Sequence, residues 1–193
     1  MAVENLLPFD GSVWYRPGFV SEADALQQKL METIPWRHDE VRMYGKLITT
    51  RRMVAWYGDA GAVYTYAGIA RNPLGWFPEL ADLKHRTGEA CGASFNSCLA
   101  NLYHDGSEGM GWHRDNEPDL IRHGVIASVS LGATRRFDFR HRNTRTKISV
   151  MLESGSLLVM AGEVQDYWEH QLPVTKKIKE PRINLTFRTI RVE

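Results

Sequence analysis

Two periodicities divide the chain. From residue 23 the apolar positions Ala23, Leu26, Leu30 and Ile34 recur at helical spacing until Pro35, predicting an amphipathic helix. Ser21 followed by Asp24 resembles a capping box at its start. A second helix is predicted to begin near Pro78 and run through "ELADLKHRTG", with Gly88 as its stop. Beyond residue 90 the period shortens. "ASFNSCLANLYH", "GVIASVSLG", "RRFDFRHR", "KISVMLESGSLLVMAG" and "RINLTFRTIRVE" are apolar-alternating runs separated by glycine and turn residues, the pattern of β-strands. "ESGS" at 153–156 reads as a hairpin turn. The pattern predicts an α+β chain, helices first and then a compact β-rich half of sandwich or jelly-roll type.

With 193 residues, 43% of them hydrophobic, the chain is expected to form one domain with a substantial core. No apolar run approaches the ~20 residues of a membrane span, and the first residues lack the basic start of a secretory signal. Cys91 and Cys98 match no zinc or redox spacing and read as buried reduced thiols, so an intracellular setting is expected. The net charge of +1 hides a basic cluster at 134–147 and another at Lys176, Lys177 and Lys179. Segregated basic patches can hold a polyanion even on a near-neutral protein; a solvated strand face explains them equally well.

The candidate chemistry begins with "GWHRDNEPDL", where His113 and Asp115 stand two apart. Such a pair alone is more often a polar turn than a metal site. Of the seven histidines, His38, His85, His104, His123 and His141 sit in polar company and read as surface residues. His170 differs, lying between "DYWE" and "QLPV", near the start or end of a predicted strand in an aromatic segment. Two histidines and one carboxylate make a facial triad that leaves positions on iron open for a bidentate substrate and oxygen. Near the C-terminus, "PRINLTFR" sets Arg182 and Arg188 six apart, hence on one face of a strand together with Asn184 and Thr186. Burying two cations is costly without anionic partners, and a small dicarboxylate would supply both. Surface arginines on an edge strand are the plainer alternative.

These segments together resemble the AlkB family of Fe(II)/2-oxoglutarate-dependent nucleic-acid dealkylases. The matching text is "NLYHDGSEGMGWHRDNEPDL", "IASVSLGATRRFDFRH", "GSLLVMAGEVQDYWEHQLP" and "PRINLTFR", and "YGDAGAVYTYAG" fits the branch that works on duplex DNA. The resemblance covers about residues 40–190. It implies a double-stranded β-helix (jelly-roll) core at 91–193, preceded by N-terminal helices and a nucleotide-recognition segment at 1–90. It implies His113, Asp115 and His170 on Fe(II), and Arg182 on the distal carboxylate of 2-oxoglutarate. Arg188 would lie near the chelating end, with Asn101, Tyr103 and Asn184 adding hydrogen bonds and O2 as the second cosubstrate. Tyr64, Tyr66, Asn116 and Glu117 correspond to positions around the damaged base. Met43, Tyr44 and Gly45 align with a hairpin tip that wedges into the duplex. Arg51, Arg52, Arg142, Arg145, Lys147, Lys176 and Lys177 would meet phosphates.

The implied reaction is oxidative demethylation of 1-methyladenine or 3-methylcytosine in DNA by a monomer, in the cytoplasm of a bacterium or the nucleus of a eukaryote. An RNA demethylase of the same chemistry stays open, because these motifs do not read the 2′-hydroxyl. A lesion-binding module without catalysis is the third alternative. It has no need of both an iron triad and a cosubstrate cradle.

Overall fold

Every residue of "RINLTFR" is buried, because this strand lies at the centre of a sheet covered on both faces. The computed structural model describes residues 4–43, 46–62, 64–66 and 69–192; for 39–43, 46–48, 64–66 and 69–71 the description is of the backbone alone. The elements run β1 (Ser12–Arg16), α1 (Ala23–Thr33), β2 (Arg37–Met43), β3 (Lys46–Gly58), β4 (Tyr64–Tyr66), β5 (Ile69–Arg71) and α2 (Pro78–Cys91). They continue with β6 (Ser97–Tyr103), β7 (Met110–His113), β8 (Ile126–Gly132), β9 (Arg135–His141) and β10 (Lys147–Leu152). Last come β11 (Ser156–Ala161), α3 (Val164–Tyr167), β12 (Trp168–Leu172) and β13 (Arg182–Arg188).

A seven-stranded sheet, β1-β11-β8-β13-β6-β3-β2, faces a four-stranded sheet, β10-β9-β12-β7, and β4 pairs with β5 in a small separate ribbon. The paired strands of both main sheets run antiparallel. This is the expected jelly roll.

Strand alternation decides which side chain meets which layer. Ile183, Leu185 and Phe187 of β13 join Ala127, Val129 and Leu131 of β8 against Leu30 of α1 and Leu80 and Leu83 of α2. Each such large side chain contributes about 1.5–3 kcal/mol relative to exposure. On the opposite face, Ile126, Leu158 and Met160 of the large sheet meet Phe139, Leu152 and Trp168 of the small one. That apolar filling occupies only part of the space between the sheets. Arg182, Asn184, Thr186 and Arg188 point into the remainder, opposite Asn101 and Tyr103 of β6 and Ser128 and Ser130 of β8.

Several sequence expectations are corrected. Ser21 does not cap α1: its hydroxyl donates to Glu22 instead, and Glu22 holds the N-cap position without a side-chain cap bond. α2 runs through Gly88 and ends at Gly92, whose φ of 61° suits the left-handed turn. Gly88 is needed within the helix because a Cβ there would lie 2.7 Å from the returning Ala93 carbonyl. The turn at 153–156 is not a hairpin, since β10 and β11 belong to different sheets and the chain crosses between layers there. The first 90 residues hold more than the expected helices and recognition segment, because β1, β2 and β3 complete the large sheet. His141 is not a surface residue but is buried on β9 between Phe9, Tyr167 and Trp168, with Nε2 on Asp10.

Candidate active site

His113 and His170 face each other directly across the antiparallel β7–β12 pair. Their ring centroids are 4.3 Å apart. Asp115 follows just past the end of β7, and the three residues offer ligand atoms that all lie within 4.8 Å of one another. The tautomers are set by the surroundings. His113 Nδ1 donates to the Gly111 carbonyl at 2.8 Å, which leaves Nε2 as the lone-pair nitrogen, 4.0 Å from Asp115 Oδ1. The other carboxylate oxygen, Oδ2, accepts from Arg188 Nη2 at 2.7 Å. One oxygen of Asp115 is thus held by the protein and the other turned towards the histidines.

The electrostatics suit metal ligation. His170 is 2% exposed and packed against Phe137 and Phe139. Burial, reinforced by the neighbouring His113, pushes its pKa down to about 3, so it is a neutral imidazole with no proton to displace. Burial alone would raise the Asp115 pKa. Arg188, first among the opposing groups, and the two histidines together outweigh it and hold the carboxyl down at about 2. Two histidines and an ionised carboxylate are the donor set that Fe(II) takes, with coordination positions left open. His170 Nδ1 is buried without a hydrogen-bond partner among the described residues.

The second half of the site is the polar floor of the large sheet. Arg182 is 2% exposed, and its guanidinium donates to Ser130 Oγ at 2.9 Å and lies over the Tyr103 ring. No carboxylate pairs with it among the described residues, its Nε is without a partner, and burial pulls its pKa down to about 10. Asn101 Oδ1, on the neighbouring strand, is likewise buried and has no hydrogen-bond partner among the described residues. Asn184 donates to Ser128 Oγ at 2.7 Å and accepts from Thr186 at 3.0 Å. A buried cation with no anion is unfavourable by several kcal/mol unless a ligand completes it. The cradle therefore fits a small carboxylate.

A cavity of about 370 Å³ opens beside Asp115 and Arg188, lined by Asn116, Glu117, Leu120 and Gln165 among others. Asn116 is exposed, whereas Glu117 Oε2 is buried without a hydrogen-bond partner among the described residues. Tyr64 and Tyr66 lie two apart on β4, paired with Arg71 and Ile69, and their side chains lie outside the described residues. β2 and β3 pair up to Met43 and Lys46; Tyr44, Gly45 and the Met43 side chain also lie outside them. Arg142, Arg145 and Lys147 are exposed together around the β9–β10 turn, and Lys176 and Lys177 are exposed on the loop after β12. Arg51 is exposed near Glu108. Arg52 departs from the expectation: it is buried beneath Met110, where it cannot meet a phosphate, because strand alternation turns it inward.

Sequence reasoning missed Ser128, Ser130 and Gln165. The serines carried a signal, small polar residues alternating within the apolar run "IASVSLG". Gln165 carried none.

Comparison with known proteins fits this geometry. The sequence profile of the 2OG-Fe(II) oxygenase superfamily matches residues 13–188. The chain is 39% identical over 181 residues to the mouse DNA oxidative demethylase ALKBH2, covering 88% of this chain and 76% of that one. Against the human protein of that name the identity is again 39%, covering 88% and 69%. Human alpha-ketoglutarate-dependent dioxygenase alkB homolog 3 is 38% identical over 185 residues, 90% of this chain and 64% of that one. The solved structure of OsALKBH1 shares the fold, with a TM-score of 0.61 at 20% identity over 92% of this chain and 97% of that one. A facial triad beside a cradle for a carboxylate, on this fold and with these relatives, leads to one assignment: the chain belongs to the AlkB family of the 2OG-Fe(II) oxygenase superfamily, whose members use Fe(II), 2-oxoglutarate and O2.

Proposed function

We propose that the protein is an oxidative demethylase of N-alkylated bases in DNA, acting on 1-methyladenine and 3-methylcytosine. The observation that carries this reading is the pairing of the His113–Asp115–His170 cluster with Arg182, a buried guanidinium that has no acid partner among the described residues. The names of the ALKBH2 relatives supply the substrate class.

In this reading His113, Asp115 and His170 hold Fe(II), and Arg182, Asn101 and Tyr103 receive the distal carboxylate of 2-oxoglutarate. Asn184 shapes the floor between the two, and Arg188 keeps Asp115 ionised and oriented at the metal end. When bound, Fe(II) and 2-oxoglutarate use O2 to place one oxygen on the N-methyl carbon, releasing succinate and carbon dioxide, and the hydroxymethyl product loses formaldehyde. The side chains bind and orient. Methylation at N1 of adenine or N3 of cytosine leaves a cationic base with an exocyclic amino donor. The buried, unpartnered Glu117 oxygen suits that donor, with Asn116 at the rim of the same cavity. Tyr64 and Tyr66 are assigned to stacking the extruded base, since a base within a duplex cannot reach such a pocket.

The finer assignments belong to the same proposal: one domain over 1–193, a monomer, duplex DNA as preferred substrate, and phosphate contacts from Arg51, Arg142, Arg145, Lys147, Lys176 and Lys177. Among the described residues no helix is long and apolar enough to cross a membrane. The test presents one 3-methylcytosine in duplex DNA, single-stranded DNA and RNA, with and without 2-oxoglutarate. Formaldehyde and succinate should appear in equal amounts, 2-oxoglutarate-dependent and fastest on DNA. Faster turnover of RNA would transfer the reading to an RNA demethylase.

A further inference from the structure

Asp115 is held at both ends. Its carboxylate is fixed by Arg188, as described. Its main-chain N–H donates to the side-chain oxygen of Gln165, Oε1, at 2.9 Å, across 50 positions of sequence. Gln165 sits on α3, the single turn leading into β12 and therefore into His170. The Gln165 main-chain carbonyl accepts from Arg114 Nη1 at 3.1 Å, so one residue grips both Arg114 and Asp115. The orientation of the Gln165 amide is set by its partners: the Asp115 N–H requires an acceptor, and the amide nitrogen donates to the Met160 sulfur at 3.5 Å. Asp166 extends the grip, its carboxylate accepting from Arg122 at 3.0 Å and meeting His123 Nε2 at 2.8 Å.

The topology explains why such a tie is needed. His113 and His170 are fixed by strand pairing. Asp115 lies beyond the end of β7, outside any ladder, at the start of a long connection to β8. Nothing in the sheets sets the main chain at Asp115. We infer that Gln165 is a positioning residue for the metal centre: its side-chain oxygen fixes the backbone of Asp115, ties the third ligand to the strand that carries the second, and so sets the affinity for the metal. The inference rests on the metal-centre reading above. Groups that orient metal ligands from behind typically change metal affinity 10–100-fold when removed.

The test uses the full-length apoprotein and Mn(II), a stand-in for Fe(II) that is stable in air, with free Mn(II) read by electron paramagnetic resonance. Gln165→Met removes the acceptor at similar volume, whereas Gln165→Glu keeps an oxygen for the Asp115 N–H. Gln165→Met should bind Mn(II) about tenfold more weakly than the parent. Gln165→Glu should stay within about threefold of it. In turnover, Gln165→Met should need about tenfold more Fe(II) for half its maximal rate. Parent-like Mn(II) affinity in Gln165→Met would overturn the inference, as would an equal tenfold loss in Gln165→Glu; the second result decides the matter even if Gln165→Met does not fold. Failure of the parent itself to bind Mn(II) would instead overturn the metal-centre reading, and this inference with it.

Discussion

At the scale of single residues, the site is built from groups whose charge is set by what surrounds them. Arg182 is a buried cation with no acidic partner among the described residues, so its replacement should separate stability from function. Arg182→Met removes a desolvated charge at modest change of volume, and such exchanges are often neutral or stabilising. The apoprotein should melt at or above the parent temperature while the 2-oxoglutarate requirement rises at least tenfold; a large loss of stability would show that the guanidinium holds the fold rather than a ligand. His170 gives a prediction of a different kind. Its folded pKa of about 3 lies below the ordinary 6.5, so under pH 6.5 the unfolded chain takes up a proton that the folded chain refuses. Stability of the apoprotein should therefore fall as pH drops from about 6.5 towards 3, by up to about 1.4 kcal/mol per pH unit from this group. Asp115, about 2 against an ordinary 3.8, adds a loss that begins only below pH 3.8. Urea denaturation of parent and His170→Gln at pH 7, 5.5 and 4.5 reads the difference, and parallel slopes would remove His170 from the account.

At the scale of elements, legibility followed apolar alternation. β6, β8, β9, β10, β11 and β13 all lay within runs that were readable because one or both faces are apolar. β7 was not readable as a strand, and β12 was readable only as a strand starting or ending near His170, although the two carry both histidines. β7 is only four residues long and none of its side chains is fully buried, whereas β12 buries Trp168, His170 and Leu172 on one face within five residues. The triad itself was found from residue chemistry and family resemblance, where periodicity gave nothing. Gln165 was invisible for a further reason: its contact is with a main-chain N–H, which every residue other than proline possesses, so no pairing of side-chain types marks it. The β2–β3 pair carries its own prediction. If Met43 and Tyr44 wedge into the duplex, replacing both with alanine should lower repair of a duplex lesion about tenfold, corresponding to ~1.4 kcal/mol of lost help with unstacking, and spare repair in a single strand. Equal loss on both substrates would assign the pair to the fold.

At the scale of the whole molecule, a net charge of +1 gives no long-range attraction to DNA, so binding must draw on local clusters such as Arg142, Arg145 and Lys147. Lys177→Ala should weaken duplex and single-stranded DNA alike and reduce the slope of log affinity against log salt by about one. An unchanged slope would take this lysine out of the interface. A different consequence follows from the way the two sheets close on each other. His113 opposes His170 only in one alignment of β7 with β12, and the pairing is already irregular between His170 and Leu172. A slip of one residue would exchange the faces of β7, presenting Trp112 where His113 belongs. Such a molecule would keep its secondary structure, its helices and most of its apolar filling, and would pass unnoticed by circular dichroism. In the proposed reading of the site it would lack one metal ligand. The metal is therefore an auditor of zipping: the fraction of a purified preparation that takes up one equivalent of Mn(II) counts the molecules whose small sheet closed in register, a census that no bulk measure of folding provides.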